Sequence, residues 1–274
     1  MDRKAWKERF KDKVAIVTGG STGIGFAIVK ELCREGAFVA FTGRSDMGFD
    51  TEKTLKDHGY NAMFIQGDMS DETFCRKTVD DTLKKWEKVN YLVNNAFSFI
   101  AKGLDADAED WSRSYTAGPV AYSRMIQNVV KPMKKEGGGA VVNIASVSAH
   151  IAQINRWTYN AAKGAVGQLT KCQALDLAKY KIRVNSVSPA WIWTRELEKA
   201  AQLDGGGREK WEPIWGQFHM LERCAEPIEC AGPTLFLLSE DASFITGTDL
   251  LIDGGYLAIG PEGLGKSSSF AGSD

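Results

Sequence analysis

"VAIVTGGSTGIGFAIVKELCREG", residues 14–36, decides how the rest of the chain is read. Its opening, "VAIVTG" (14–19), is apolar nearly throughout rather than alternating, as suits a strand covered on both faces of a parallel sheet. The run passes straight into Gly19, Gly23 and Gly25, spaced G-x-x-x-G-x-G. A helical pattern follows, with Gly36 just past its last turn as a stop signal. Glycines at a strand-to-helix junction let the backbone approach a pyrophosphate and aim the helix N-terminus at it. A tight turn wants glycine for its own geometry as well. The surrounding chain therefore has to decide.

It repeats the rhythm. Short β-branched runs stand at "FVAFTG" (38–43), "AMFIQGD" (62–68), "YLVNNA" (91–96), "AVVNIAS" (140–146), "RVNSVSP" (183–189) and "DLLIDGG" (249–255), with helical patterns between them. Such alternation predicts an α/β doubly wound, Rossmann-type parallel sheet with helices on both faces, and ligands beyond the C-terminal strand ends. Neither a linker nor an internal repeat divides residues 1–274, which are expected to form a single domain. Residues 195–220, with Gly-Gly-Gly at 205–207, read as an insertion. The Gly/Ser-rich segment 257–274 reads as a flexible tail.

Composition narrows the partners. A chain of 274 residues with 43% hydrophobic content can bury one large core, and its net charge of −1 gives no reason to expect nucleic acid. No apolar run approaches the roughly 20 residues that span a membrane. The charged start "MDRKAWKERFKDK" lacks the apolar stretch of a secretory signal. Five scattered cysteines without a Cys-x-x-Cys fit reduced thiols in a cytoplasmic protein, and no cluster has metal-ligand spacing.

Two local signals carry chemistry. At the end of the second strand, where an acidic side chain would bond a ribose 2′-hydroxyl, stand Gly43 and Arg44. A guanidinium there suits a 2′-phosphate. Asp68, closing the third strand, is placed to accept from an adenine amino group. In "RWTYNAAKGAVGQLTK" (156–171), Ala162, Val166 and Leu169 form one helical stripe, and Tyr159 and Lys163 lie one turn apart pointing the same way.

Taken together, "TGGSTGIG" (18–25), "NNA" (94–96), Ser146 thirteen residues before Tyr159, "YNAAK" (159–163) and "SPAWIWT" (188–194) stand in an order and spacing that resembles the short-chain dehydrogenase/reductase family, in its compact single-domain branch. The resemblance covers about residues 10–257. It implies a seven-stranded sheet of order 3-2-1-4-5-6-7, a homotetramer, and hydride transfer between NADP(H), with NAD(H) as second choice, and a carbonyl or secondary alcohol. It implies Ser146, Tyr159 and Lys163 as catalytic residues. Cofactor contacts are implied at Gly19, Ser21, Thr22, Gly23, Ile24, Gly25, Arg44, Ser45, Asp68, Met69, Asn95, Ala96, Tyr159, Lys163, Pro189, Ile192 and Thr194. A free phenol titrates near 10, too high for a base at neutral pH, so the ammonium one turn away, together with the positive nicotinamide ring of the oxidised complex, is expected to stabilise the phenolate and lower it. Ser146 is expected to orient the substrate oxygen.

The chain departs from the family at three positions. Gly118, seven residues after Trp111, stands where the family carries a catalytic asparagine, and Gly118-Pro119 predicts an irregular helix there. Phe97 replaces the glycine that follows "NNA", narrowing the space near the nicotinamide. Ala190 replaces the glycine of "SPG". The expected substrate pocket holds Phe97, Val147, His150, Trp157, Trp191, Trp193 and Trp215, with 195–220 as its lid, and suits a small to medium cyclic or apolar substrate. The alternatives are an NAD-dependent dehydrogenase of the same fold and a non-catalytic nucleotide sensor or scaffold. Enoyl reduction is disfavoured, because that branch spaces tyrosine and lysine more widely.

Overall fold

The computed structural model of the chain describes residues 8–260 and 263–264. Seven strands, β1 (Val14–Val17), β2 (Phe38–Gly43), β3 (Ala62–Gln66), β4 (Tyr91–Asn94), β5 (Gly139–Ile144), β6 (Ile182–Pro189) and β7 (Asp249–Ile252), form one sheet ordered β3-β2-β1-β4-β5-β6-β7. Every pairing is parallel. The strand order reverses between β1 and β4, which opens a crevice at their C-terminal ends. Each apolar run of the sequence overlaps its strand, although β5 and β6 begin one residue earlier, at Gly139 and Ile182, and β1, β3, β4, β5 and β7 end two or three residues early. Thr18, Asp68, Asn95, Ser146 and Asp253 have already left the ladder to form the rim.

Nine α-helices accompany the strands among the described residues: α1 (Gly23–Arg34), α2 (Met47–Asp57), α3 (Glu72–Trp86), α4 (Ala108–Tyr115), α5 (Ala121–Lys135), α6 (Trp157–Leu177), α7 (Arg195–Leu203), α8 (Gly207–Gly216) and α9 (Pro227–Leu238). Side chains of a strand alternate between faces. Ala15 and Val17 accordingly pack with Ile28 and Leu32 of α1 and Leu235 of α9, whereas Ile16 packs with Val79 of α3, Met125 of α5 and Ala174 of α6. Both faces are therefore covered, which is why the strands read as continuous apolar runs. Each buried valine or isoleucine contributes on the order of 1.5–3 kcal/mol. The end of α9 is closed by a side chain from the sheet: Arg183 donates to the carbonyls of Leu237, Leu238 and Ser239 at 2.6, 3.0 and 2.9 Å.

The irregular helix expected at Gly118-Pro119 is present. Thr116–Val120 form a π-turn between α4 and α5, and Gly118 leaves helical geometry at φ −117°, ψ −112°. Pro119 has no N–H for the ladder, so the turn widens there. In the segment 195–220, α7 and α8 are joined through Gly205–Gly207. A short 3-10 turn, Tyr256–Ala258, leads into the segment 257–274 read as a tail, of which residues 261–262 and 265–274 lie outside the described residues.

Candidate active site

The turn after β1 is fastened from two sides. Thr18 Oγ1 accepts the backbone N–H of Asn95 at 2.9 Å and of Ala96 at 3.0 Å, and Asn95 Nδ2 donates to the carbonyls of Thr18 and Gly19 at 2.9 and 3.0 Å. From β2, Thr42 Oγ1 accepts the Gly19 N–H at 3.1 Å. Gly19 and Gly23 adopt φ of +65° and +57°, which favour glycine, and a Cβ on Gly25 would run into the Gly19 carbonyl. At the start of α1 the Thr22 side chain makes no capping bond, and the first turn carries no acidic residue. Its N–H groups and positive helix end are thus left for an anion, which is what a dinucleotide's diphosphate requires. The residues present fit that group.

Neighbouring residues extend this cradle. Ser21 lies against Gly43, where an added Cβ would meet its Oγ at 2.6 Å, and a Cβ on Gly23 would lie 3.5 Å from the Thr194 methyl group. Thr194 Oγ1 accepts the Leu197 N–H at 3.3 Å as the cap of α7, so the start of that helix closes over the turn that holds Ile24. Arg44 is exposed at the end of β2, beside Ser45, with Nη1 3.8 Å from Asp68 Oδ2. Burial raises the Asp68 carboxyl, but its bonds from Ser70 and the Arg44 charge outweigh that and hold it below the ordinary value. Met69 is buried with its sulfur 3.4 Å from Thr42 Oγ1, and Pro189 at the end of β6 and Ile192 just beyond it are buried. These three shape the floor.

Helix α6 presents Tyr159 and Lys163 one turn apart. Its start is strapped to the segment after β4: Thr158 Oγ1 donates to the Ile100 carbonyl at 2.6 Å and accepts the Lys102 N–H at 3.1 Å. Ser146 follows β5, where its Oγ accepts the Ser148 N–H at 3.2 Å, capping the turn Val147–Ala149. The Lys163 ammonium donates to the Ile144 carbonyl at 2.8 Å and faces the Phe97 ring, 4.0 Å from its centroid. Phe97 meets the Tyr159 ring edge-on at 5.5 Å, and Phe99 lies 4.8 Å from it. Burial pushes the Lys163 amine down to about 7. Burial also raises the Tyr159 phenol, and its bond with Ser146 and the charge of Arg156 offset part of the rise. In the protein alone, burial outweighs these contributions and the phenol stands above its ordinary value. The ammonium is turned to Ile144 and Phe97, and burial disfavours both charges.

The residues expected around the substrate divide. Phe97 and Val147 lie beside the Tyr159–Ser146 pair. Trp191 lies 5.1 Å from Trp215, which also packs against Trp193 at 5.8 Å and Trp211 at 5.2 Å. Trp193 and Trp215 are buried in the cluster beneath α7 and α8, and Trp157 is exposed. His150 points to β7, with Nε2 2.8 Å from Asp249 Oδ2, a carboxylate that also accepts from Ser186 and Ser188 at 2.6 and 2.7 Å. Its hydrogen bond thus braces the loop that carries Ser146. Among the described residues no three His, Cys, Asp or Glu side chains gather as a metal site.

Sequence reasoning passed over four residues that matter here. Thr18 ties the glycine turn to Asn95, Phe99 flanks Tyr159, Asp249 braces His150, and Tyr122 donates to the Ile144 carbonyl at 3.3 Å, sharing it with Lys163. Phe99 had a readable signal, since it stands two residues after Phe97 beside a strand end. Tyr122 had none, because a tyrosine on a buried helix face reads as core.

Comparison with known proteins agrees with this geometry. Residues 19–257 match a family model described as enoyl-(acyl carrier protein) reductase. The chain is 34% identical over 252 residues to the cyclopentanol dehydrogenase of Comamonas sp. (strain NCIMB 9872), covering 91% of this chain and 99% of that protein. It is 33% identical to the NADP-dependent (R)-specific alcohol dehydrogenase of Lentilactobacillus kefiri, covering 92% and 99%. The crystal structure of levodione reductase superposes with a TM-score of 0.85 at 30% identity, over 91% of this chain and 99% of that one. With the sheet order, the glycine turn and the Tyr159–Lys163 helix all in register, the chain belongs to the short-chain dehydrogenase/reductase family of oxidoreductases.

Proposed function

We propose that this enzyme is an NADP(H)-dependent ketoreductase and alcohol dehydrogenase for a small to medium cyclic or apolar substrate. The observation that carries the reading is the assembly of Ser146, Tyr159 and buried Lys163 at the strand ends beside the glycine turn. Bound there, the nicotinamide supplies hydride to a carbonyl or accepts it from an alcohol. The protein's own residues handle the oxygen. Ser146 donates to it and fixes its direction, and the Tyr159 phenol gives the proton in reduction and takes it in oxidation. Lys163 supplies positive charge one turn away and holds the cofactor's ribose hydroxyls. Gly19, Ser21, Thr22, Gly23, Ile24 and Gly25 hold the diphosphate, Arg44 and Ser45 the 2′-phosphate, Asp68 and Met69 the adenine, and Asn95, Ala96, Pro189, Ile192 and Thr194 the nicotinamide end.

Support for NADP(H) is the exposed Arg44 at the end of β2, together with the cofactor named for the Lentilactobacillus kefiri relative. Support for a cyclic substrate is the ring wall of Phe97 and Phe99 at Tyr159, and a relative named for cyclopentanol. The four-residue step from Tyr159 to Lys163 favours alcohol and carbonyl chemistry over enoyl reduction. In this reading α7 and α8 form the lid, and Trp191 and Trp215 line its underside. The enzyme is a homotetramer: Leu250 and Leu251 on edge strand β7, Phe244, and Leu175 on α6 leave large apolar side chains exposed for symmetry mates. We place it in the cytoplasm on its five unpaired cysteines, and no described helix is long and apolar enough to cross a membrane. The test is a screen of cyclic and open-chain ketones and alcohols with each cofactor, paired with sedimentation. Turnover confined to NADPH, NADP+ and apolar cyclic compounds, by a tetramer, is expected. Cofactor binding without turnover across the screen would favour a sensor.

A further inference from the structure

Phe97 and Gly118, two of the positions where the chain departs from its family, meet in space. A Cβ built on Gly118 would overlap the edge of the Phe97 ring, with two further ring carbons at 3.1 Å. The ring thus rests in room that exists because residue 118, at the break between α4 and α5, has no side chain. The same ring turns its face to Lys163, 4.0 Å from the ammonium, and stands at 88° to the Tyr159 ring. The ammonium's one hydrogen-bond acceptor among the described residues is the Ile144 carbonyl, at 2.8 Å. A desolvated cation over an aromatic face is attracted by the ring's negative face.

We propose that Phe97 is a positioning residue for Lys163: seated against Gly118, its ring caps the ammonium that the Ile144 carbonyl also holds, and occupies the space that any side chain at position 118 would enter. This rests on the reading of Tyr159 and Lys163 as the reacting pair. The two departures are then one exchange, because the ring needs the glycine. The other titratable groups here are Tyr159, whose ring centre is 5.8 Å from the ammonium, Tyr122 on α5, which shares the Ile144 carbonyl, and Arg156 just before α6, whose charge acts on the Tyr159 phenol. None of them is a carboxylate, so the ring face and one carbonyl dipole are what favour the charged amine.

Two measurements on the full chain, with no cofactor or substrate, test this. The first is a thermal-unfolding cycle of the unmutated protein, Gly118→Ala, Phe97→Ala and the double variant. Any cost of the alanine itself at position 118 is present in both backgrounds and cancels. Gly118→Ala is expected to lower the melting temperature by several degrees beside Phe97, and by less than half as much beside Ala. Equal losses in the two backgrounds would overturn the seating. The second follows Lys163 through pH by NMR of protein carrying ¹³C at lysine Cε, with the signal assigned by Lys163→Met. Phe97→Tyr keeps the ring and is expected to titrate with the unmutated protein. Phe97→Leu keeps bulk without a π face and is expected to move the titration down by about half a unit or more. An unmoved titration in Phe97→Leu would overturn the capping. Turnover enters neither measurement, so an enzyme inactive on every substrate would count against the proposed reaction and not against this exchange.

Discussion

The Lys163 ammonium reaches inward and donates to the Ile144 carbonyl at 2.8 Å, an oxygen that the Tyr122 hydroxyl also approaches, at 3.3 Å. A cation placed there is costly to the fold. Burial brings the amine down to about 7 from an ordinary 10.5. Below pH 7 the folded protein carries the buried charge at full cost. Between 7 and 10.5 the unfolded chain holds a proton that the folded one releases, so stability attributable to this residue rises with pH. Lys163→Met is therefore expected to be more stable than the unmutated protein at pH 6 by a few kcal/mol, on the order of the burial shift, and so to melt at a higher temperature. Ile144 keeps its Tyr122 partner. The gap should narrow steadily toward pH 10, and a gap indifferent to pH, measured by thermal unfolding, would contradict the assignment.

Arg44 is the residue on which cofactor choice is expected to turn. Losing a charge-assisted contact to a phosphate costs about 1.5–3 kcal/mol. Arg44→Ala should thus weaken NADPH about ten- to a hundredfold and leave NADH nearly unchanged. Fluorescence titration of both cofactors checks this, and equal affinity for both in the unmutated protein would count against the role.

Stability away from the site depends on Arg183. Its guanidinium satisfies the last carbonyls of α9, and Arg183→Met would leave several of them without a partner while keeping the apolar stem. A loss of about 3 kcal/mol is expected, which lowers the melting temperature by roughly 5–10 °C. Because Arg183 stands at the start of β6, away from the C-terminal strand ends that carry the site, activity at 25 °C should change little.

The sheet was legible because parallel strands buried on both faces are apolar nearly throughout, as those at 14–19, 38–43 and 140–146 are. The glycine turn and the Tyr159–Lys163 step were legible because their chemistry is local, fixed by spacing along one turn or one helix. What the chain did not disclose depends on contacts between distant segments. Nothing in "AFSFI" (96–100) says that its first ring will rest against Gly118, some twenty residues on. Nor does the step from Tyr159 to Lys163 reveal that the ammonium turns to Ile144, leaving burial to raise the phenol. His150 and Asp249, 99 residues apart, are joined only once β6 and β7 pair.

The central claim is that the Tyr159 hydroxyl moves the proton while the fold holds the cofactor without it. Tyr159→Phe removes that one oxygen and keeps the ring against Phe97 and Phe99. The decisive measurement is kcat for the best ketone of the screen, with cofactor affinity determined on the same preparation. A proton-transfer group of this kind contributes about 10²–10⁴ in rate, so kcat is expected to fall at least about a hundredfold while NADPH affinity stays within about threefold. Turnover in Tyr159→Phe within a few-fold of the unmutated enzyme would contradict the account.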